Sequence, residues 1–361
     1  MAPRTRKPIL RLLSVLAMCA GLATVATGCS SPAADAAATP SAAKQLRLGY
    51  FDNVTHAPAL IGVQEGLFRK SLGSVSLKTE QFNAGPAAIE ALSAGAIDAA
   101  FLGPSPAINS FTASGGASLR VVAGATNGGA ALVVRRGIDT MSQLKGTTLA
   151  TPQLGNTQDV ALRTYLAKNG LKTSVSGGGD VTITPTDNAQ TLQLFTQGKV
   201  DGAWLPEPWA SRLVLDAGAH VLVDERSQWK GGAFPTTVLV VRTDFLQQHP
   251  QTVADLIAGE RSAISWLNDH PSAESVKEIN ARLTADGGSA LPDAVVARSL
   301  KNVSFSVDPL ASTFPVQLKH AVAAGLAKNA TLNGLFDLRQ LNAALKKSGA
   351  KPISAAGLGR Q

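Results

Sequence analysis

Thr55 and Thr157 each stand immediately before a run with helical spacing, where a hydroxyl residue serves as an N-cap. A helix start leaves backbone N–H groups unpaired and carries partial positive charge, so two of them facing one cleft would hold an anion. Thr55 and Thr157 are therefore read as ligand contacts as well as caps. His56, next in the chain, could donate to an anion or pack at the helix start. Ser105 lies in Gly103-Pro104-Ser105-Pro106-Ala107, which looks like a nucleophile elbow without its last glycine. Prolines on both sides forbid the strand-to-helix turn that such an elbow needs. Ser105 is read instead as a hydroxyl donor or a turn residue, and acyl transfer is set aside.

Asn83-Ala84-Gly85-Pro86 precedes one helical run as Asp187-Asn188-Ala189 precedes another. Asn83 is read as a contact. Gly85 would let the backbone approach a ligand closely, or simply form a turn before Pro86 at the first helical position. Glu207, between Pro206 and Pro208, could meet a ligand ammonium group or accept backbone N–H bonds that hold its loop. Trp209 could form an apolar wall for a ligand or pack in a core. Asp98 and Asp201 are read as capping or turn acids, away from the proline loops. The five histidines include no pair with metal-ligand spacing, and neither a Walker loop nor a Gly-x-Gly-x-x-Gly fingerprint occurs, so no metal or cofactor is expected.

These residues need a scaffold that brings them together, and the chain carries one twice. Gly95-Ala-Ile-Asp-Ala-Ala-Phe-Leu102 returns 103 positions later as Gly198-Lys-Val-Asp-Gly-Ala-Trp-Leu205, and each copy runs into a proline loop. Strands are expected at 46–51, 76–82 and 96–102, each of the first two followed by helical spacing, with 120–124 and 131–134 leading out of the first unit. The pattern repeats at 147–151, 181–184 and 200–205, and 237–242 returns. Such alternation implies an α/β fold of two lobes, each a mostly parallel sheet flanked by helices, with a cleft between them. After Asp244 five segments carry helical periodicity and no further strand is evident. If this tail packs on the first lobe, the chain crosses between lobes twice, and two crossings make a hinge.

Arg4, Arg6, Lys7 and Arg11 precede an apolar run from Leu12 to Val25 and the small residues before Cys29, the pattern of a secretory signal. The run is shorter than the roughly 20 residues of a membrane span. Cys29 sits where a lipoprotein signal peptidase would cut, and is expected to be lipidated. Residues 30–43 are Ala/Ser/Pro/Thr-rich, the composition of a flexible tether. Four of the 33 basic residues and none of the 25 acids precede Cys29, which leaves +4 of the formal +8 on the mature chain. With no basic block and 5% aromatic residues, nucleic acid is not expected as a partner. The other cysteine, Cys19, lies within the signal, so a disulfide frame is excluded.

Thr55-His56-Ala57-Pro58-Ala59-Leu60, Glu65-Gly66-Leu67-Phe68, Gly103-Pro104-Ser105-Pro106, Leu154-Gly155-Asn156-Thr157-Gln158 and Trp204-Leu205-Pro206-Glu207-Pro208-Trp209 together resemble the substrate-binding proteins of sulfonate, taurine and nitrate ABC importers. The resemblance covers about residues 46–245. It implies the periplasmic-binding-protein fold and a non-enzymatic, monomeric receptor that captures a small organosulfonate or related anion for an ABC permease and its ATPase. It also adds Asn156 and Gln158 to the candidate contacts. The implied organisation is a lipoprotein signal at 1–28, a tether at 29–44, one lobe from 45–128 plus 244–350, a second from 129–243, and a tail at 351–361. The chain would sit outside the cytoplasmic membrane, held by its lipid. Alternative ligands are nitrate or a thiamine-pyrimidine precursor. An enzyme on the same fold is the other class; the related pyrimidine synthases resemble this chain less, having a cysteine cluster absent here.

Overall fold

A computed structural model describes residues 41–361. The expected signal, the lipidation site Cys29 and most of the tether lie outside the described residues. The first half-lobe runs β1 (Gln45–Tyr50), α1 (Ala57–Gln64), α2 (Leu67–Leu72), β2 (Ser76–Gln81), α3 (Gly85–Ser93), β3 (Ala99–Leu102), α4 (Pro104–Ala113) and β4 (Leu119–Gly128). The chain then crosses at Gly129 into β5 (Ala130–Val134), β6 (Thr148–Thr151), α5 (Thr157–Lys168), β7 (Thr182–Pro185), α6 (Asn188–Thr196), β8 (Gly202–Pro206), α7 (Trp209–Ala217) and β9 (His220–Asp224). It returns through β10 (Pro235–Arg242) to α8 (Thr243–Gln248), α9 (Pro250–Asp269), α10 (Ser272–Ala285), α11 (Asp293–Asn302), β11 (Val303–Phe305), α12 (Phe314–Ala323), β12 (Phe336–Asp337), α13 (Arg339–Lys347) and β13 (Gly359–Arg360).

The strands form two sheets. One has the order β13-β12-β4-β10-β3-β1-β2 with β11 also on β4, and the other β7-β6-β8-β5-β9. In each, three parallel strands carry the crossover helices, and the strands that link the lobes run antiparallel to them: β10 on β3, β5 on β8. The repeat seen in the sequence is a repeat of structure. Asp98 accepts the Arg47 N–H at 2.9 Å and Asp201 accepts the Thr148 N–H at 2.8 Å, so each matched acid pins the strand beside its own. Each acid also pairs with an arginine, Asp98 with Arg47 and Asp201 with Arg135, so the expected capping or turn role gives way to a clamp on the neighbouring strand.

Alternation decides what each sheet buries. Leu132 and Val134 of β5 join Leu149, Leu162 and Trp204 on one face of the second sheet, while Val133 joins Ala150, Ala203, Leu205 and Leu213 on the other. The larger core surrounds the first sheet. It includes Leu48, Phe68, Phe101 and Val240 together with Val253, Leu256 and Ile257 of α9, Phe314 and Phe336. The helices after Asp244 pack back on that core, with α9 against α1 and α2.

Two expectations are corrected. The segment after Asp244 does contain strands, β11, β12 and β13, of two or three residues each, too short for alternation to register. The second sheet also has β9 as an edge strand that the sequence reading left unassigned.

Candidate functional site

Gly103 and Asn156, both extended, precede α4 and α5, and Pro104 and Thr157 are the first residues of those helices. Proline fits there because its missing N–H would have been unpaired in any case. The two helix starts meet across the lobes. The Thr157 hydroxyl oxygen accepts the Ser105 N–H at 3.3 Å. Gly103 is required for this approach, since a Cβ there would overlap Thr157 Oγ1. A third start joins them: a Cβ on Gly85 would overlap Pro106 and stand 3.3 Å from Asn156 Oδ1. The Ser105 hydroxyl is buried beside this junction and has no partner among the described residues. Backbone N–H groups, a hydroxyl and an amide thus converge from both lobes. Neutral donors with aligned helix dipoles suit a fully ionised oxyanion.

Neither threonine caps its helix. Asn156 holds the N-cap position of α5 without a side-chain cap bond, and Thr55 lies inside a 3-10 turn, Val54–His56, ahead of α1. The reason is tertiary: Thr157 Oγ1 turns to the other lobe, and the Thr55 N–H donates to the Glu207 carbonyl at 3.3 Å. Gln158 is buried next to Thr157.

His56 is buried and stacks on Phe51 at 4.2 Å. Its Nδ1 accepts the Phe51 N–H at 3.3 Å, which assigns the ring proton to Nε2. Burial lowers its pKa to about 3, so it is a neutral donor and adds no charge. The loop between β1 and this turn supplies a residue that the sequence reading did not select. Asn53 Oδ1 accepts the Trp209 indole N–H at 2.8 Å, a bond from one lobe to the other. Trp209 is half-buried, with the Arg212 guanidinium 4.8 Å from its ring centre.

Glu207 is fully engaged by the protein. Its carboxylate accepts Ser211 N at 2.9 Å, Ser299 Oγ at 3.2 Å and Asn302 Nδ2 at 2.6 Å, and pairs with Arg298 at 3.5 Å. Of its two sequence readings the loop-holding one matches this geometry; an ammonium group would have to displace one of these partners. Asn83, by contrast, is exposed and has no side-chain bond among the described residues.

At the floor, where the chain crosses between lobes, Thr126 and Thr237 lie opposite each other on β4 and β10. Both hydroxyls are buried without partners among the described residues, as are Asn127 Oδ1 and Asn188 Oδ1. Unpaired buried polar groups are costly unless something else satisfies them. The signal available in sequence was hydroxyl and amide residues at the glycine-marked end of one apolar strand and the start of the next.

Comparison with known proteins places this architecture. The model of the NMT1-like family matches residues 39–282. The chain belongs to the NMT1-like family. Among curated relatives of this NMT1-like chain, the taurine-binding periplasmic protein of Escherichia coli (strain K12) is 27% identical over 196 residues, 54% of the chain and 58% of the relative. That match spans less than two thirds of the relative's own length. The putative aliphatic sulfonates-binding protein of Bacillus subtilis (strain 168) is 25% identical over 233 residues, 63% of the chain and 66% of the relative. Among solved structures, the alkanesulfonate-binding protein SsuA of Xanthomonas axonopodis pv. citri bound to MOPS superposes with a TM-score of 0.67 at 24% identity, covering 80% of this chain and 96% of that one. The nitrate-binding protein NrtA of Synechocystis PCC 6803 gives 0.68 at 16% identity, covering 81% and 84%. At these identities the structural matches establish the fold, a two-lobed periplasmic-binding architecture.

Proposed function

We propose that this chain is the extracytoplasmic solute-binding component of an ABC importer. It captures a small organosulfonate or related anion between its lobes and delivers it to a permease. The observation that carries this reading is the meeting of α4 and α5 through Ser105 N–H and Thr157 Oγ1, with the Ser105 hydroxyl left unpaired beside it. A sulfonate is ionised at every physiological pH and only accepts hydrogen bonds, which is what such a ring of neutral donors offers. The half-buried Trp209 supports an alkyl or aryl portion on the ligand. The taurine and aliphatic-sulfonate relatives and the nitrate-binding fold neighbour support the same class. With Glu207 engaged, its loop-holding role is the reading adopted here, and selectivity is set at the oxyanion and the apolar wall. Chemistry on the ligand is not part of this reading.

The anchoring part of the proposal rests on Cys29 and the small residues before it. Two acyl chains would hold the protein stably at the membrane surface. Replacing Cys29 with Ala should release the protein or leave it unprocessed; membrane partitioning at the mature mass would remove this part.

A ligand panel tests the rest. Ethanesulfonate, butanesulfonate, taurine, nitrate, bicarbonate and the thiamine pyrimidine are added to the chain and its melting temperature followed, since a ligand that binds only the folded state raises it. Sulfonates should raise it, and Ser105→Ala with Thr157→Ala should remove the effect. Stabilisation by the neutral pyrimidine alone would overturn the sulfonate reading.

A further inference from the structure

A crevice of about 170 Å³ opens at the end of the first sheet remote from the cleft, lined among others by Arg120, Thr243, Asp337, Arg339 and Arg360. Arg120 is the second residue of β4, whose other end, Gly128, lies eight residues away beside the crossing, which places the crevice about 26 Å from the hinge. Thr243 follows the outer end of β10.

The charges there do not balance. Arg339 closes on Asp337 through Nε at 2.8 Å and Nη2 at 2.5 Å, so that carboxylate is committed. Arg120 is fixed through one nitrogen, Nη1, which donates to Gly116 O, Leu119 O and Thr243 Oγ1 at 2.6 to 3.0 Å. Its Nε and Nη2 have no acceptor among the described residues. Arg360, exposed at the crevice rim, lies beside Asp337 in the parallel pair β12–β13, and its guanidinium makes no hydrogen bond or ion pair among the described residues. Two guanidiniums therefore face one crevice beyond those neutralised. Burial destabilises the charge on Arg120, Asp337 partly offsets this and Arg360 adds to it, so its pKa lies below the ordinary value.

We propose that the Arg120–Arg360 crevice is a second anion site, separate from the cleft, that takes a phosphate-type oxyanion. Forked guanidiniums with free N–H groups match tetrahedral oxyanions, and one carries its geometry ready-made because Thr243 and two carbonyls hold it. The site also lies near the first of the described residues. Ser41 N donates to the Gln248 carbonyl at 3.2 Å, at the end of the same α8 whose Leu246 and Gln247 line the crevice. The phosphate of an anionic lipid headgroup is thus within the site's reach if the chain is membrane-anchored, alongside free inorganic phosphate.

The full chain is titrated at constant ionic strength with inorganic phosphate, with monomeric dihexanoyl phosphatidylglycerol and with the choline analogue, by calorimetry and phosphorus NMR. One phosphate-dependent site is expected, weakened about tenfold or more by Arg360→Gln, since hydrogen bonds to charged groups are the strong ones. Ser105→Ala should leave it unchanged. Arg339→Gln provides a second variant, which frees the Asp337 carboxylate into the crevice and should weaken the site in the same way. Response to phosphate alone identifies a free oxyanion as the ligand, and response to the glycerol lipid above the choline lipid identifies the headgroup; either supports the site. Binding that is absent, that survives both arginine variants, or that is lost in Ser105→Ala instead overturns it.

Discussion

Asn53 and Trp209 are joined at 2.8 Å by an indole-to-amide hydrogen bond that exists only while the two lobes are together. Asn53 follows β1 and Trp209 opens α7, so the bond couples the loop that carries Thr55 and His56 to the loop that carries Glu207. It reports closure as well as stabilising it. A ligand held between helix starts of both lobes makes more contacts in the shut form, and so shifts the population toward it. Adding ligand should change Trp209 fluorescence and reduce the radius of gyration with one midpoint. Asn53→Ala should weaken binding by about 2- to 13-fold, the equivalent of a net hydrogen bond of 0.5–1.5 kcal/mol. An unchanged scattering curve with a tight ligand would rule out closure.

Gly103 sets how close the lobes come. A Cβ at this position would overlap Thr157 Oγ1, whereas the Thr236 carbonyl, 3.6 Å away, would be in ordinary contact with it. Gly103→Ala should therefore hold the lobes apart, lowering ligand affinity about tenfold or more while the melting temperature without ligand changes little, because the strain falls on a junction rather than on a core. Equal losses of stability and affinity would place the strain within the first lobe instead.

For Glu207 the expected effect is on stability. The carboxylate holds the α7 start to α11 through Ser299, Asn302 and Arg298. Glu207→Ala leaves Ser211 N, Ser299, Asn302 and Arg298 without their shared acceptor and should cost about 3 kcal/mol of folding free energy. Taurine and simple alkanesulfonates should lose affinity alike. A selective loss for taurine in Glu207→Gln would return the ammonium-binding reading.

How much of this was legible in the sequence depended on the range over which each feature is determined. The repeat from Gly95 and Gly198 showed because a turn, an acid and an apolar run within eight residues define it, whereas the partners of Asp98 and Asp201, Arg47 and Thr148, lie 51 and 53 residues upstream and left no local mark. The spacing places Thr157 as a cap, whereas the structure puts Asn156 there and Thr157 at the first helical position. Asn and Thr at a helix start look alike until the partner helix is known, and that partner, α4, comes from the other lobe. Three of Glu207's four partners, Arg298, Ser299 and Asn302, lie 91 to 95 residues downstream on α11 and beyond the reach of local pattern. Thr126 and Thr237 escaped notice because single hydroxyls in apolar strands are ordinary until they are found facing each other, buried and unpaired, at the crossing.

Buried acids should tilt stability with pH. Glu225 is buried and its pKa is pushed up to about 7 by desolvation, which outweighs its bonds from the Trp204 and Trp229 indoles at 2.7 and 3.3 Å. Glu260 on α9 is buried with neither oxygen bonded among the described residues, and desolvation raises its pKa well above 4.5. Asp52 is raised to about 7 by burial and by the adjacent Asp286. In all three the folded pKa exceeds the unfolded one, so the stability they contribute is fully present below the unfolded pKa and is lost as pH rises through the folded value. His56 works in the other direction: its folded pKa of about 3 against 6.5 means that stability falls as pH drops below 6.5. Denaturant melts should thus show stability declining between about pH 4 and pH 7 on account of Glu225 and Asp52, with Glu260 adding to the decline. Glu260→Leu should flatten part of that slope and raise stability near neutral pH by about 1–3 kcal/mol, since it removes a buried group that lacks a partner. A slope unchanged in Glu260→Leu, or a loss of stability at pH 8, would mean that Glu260 has a partner in solution and remains charged there.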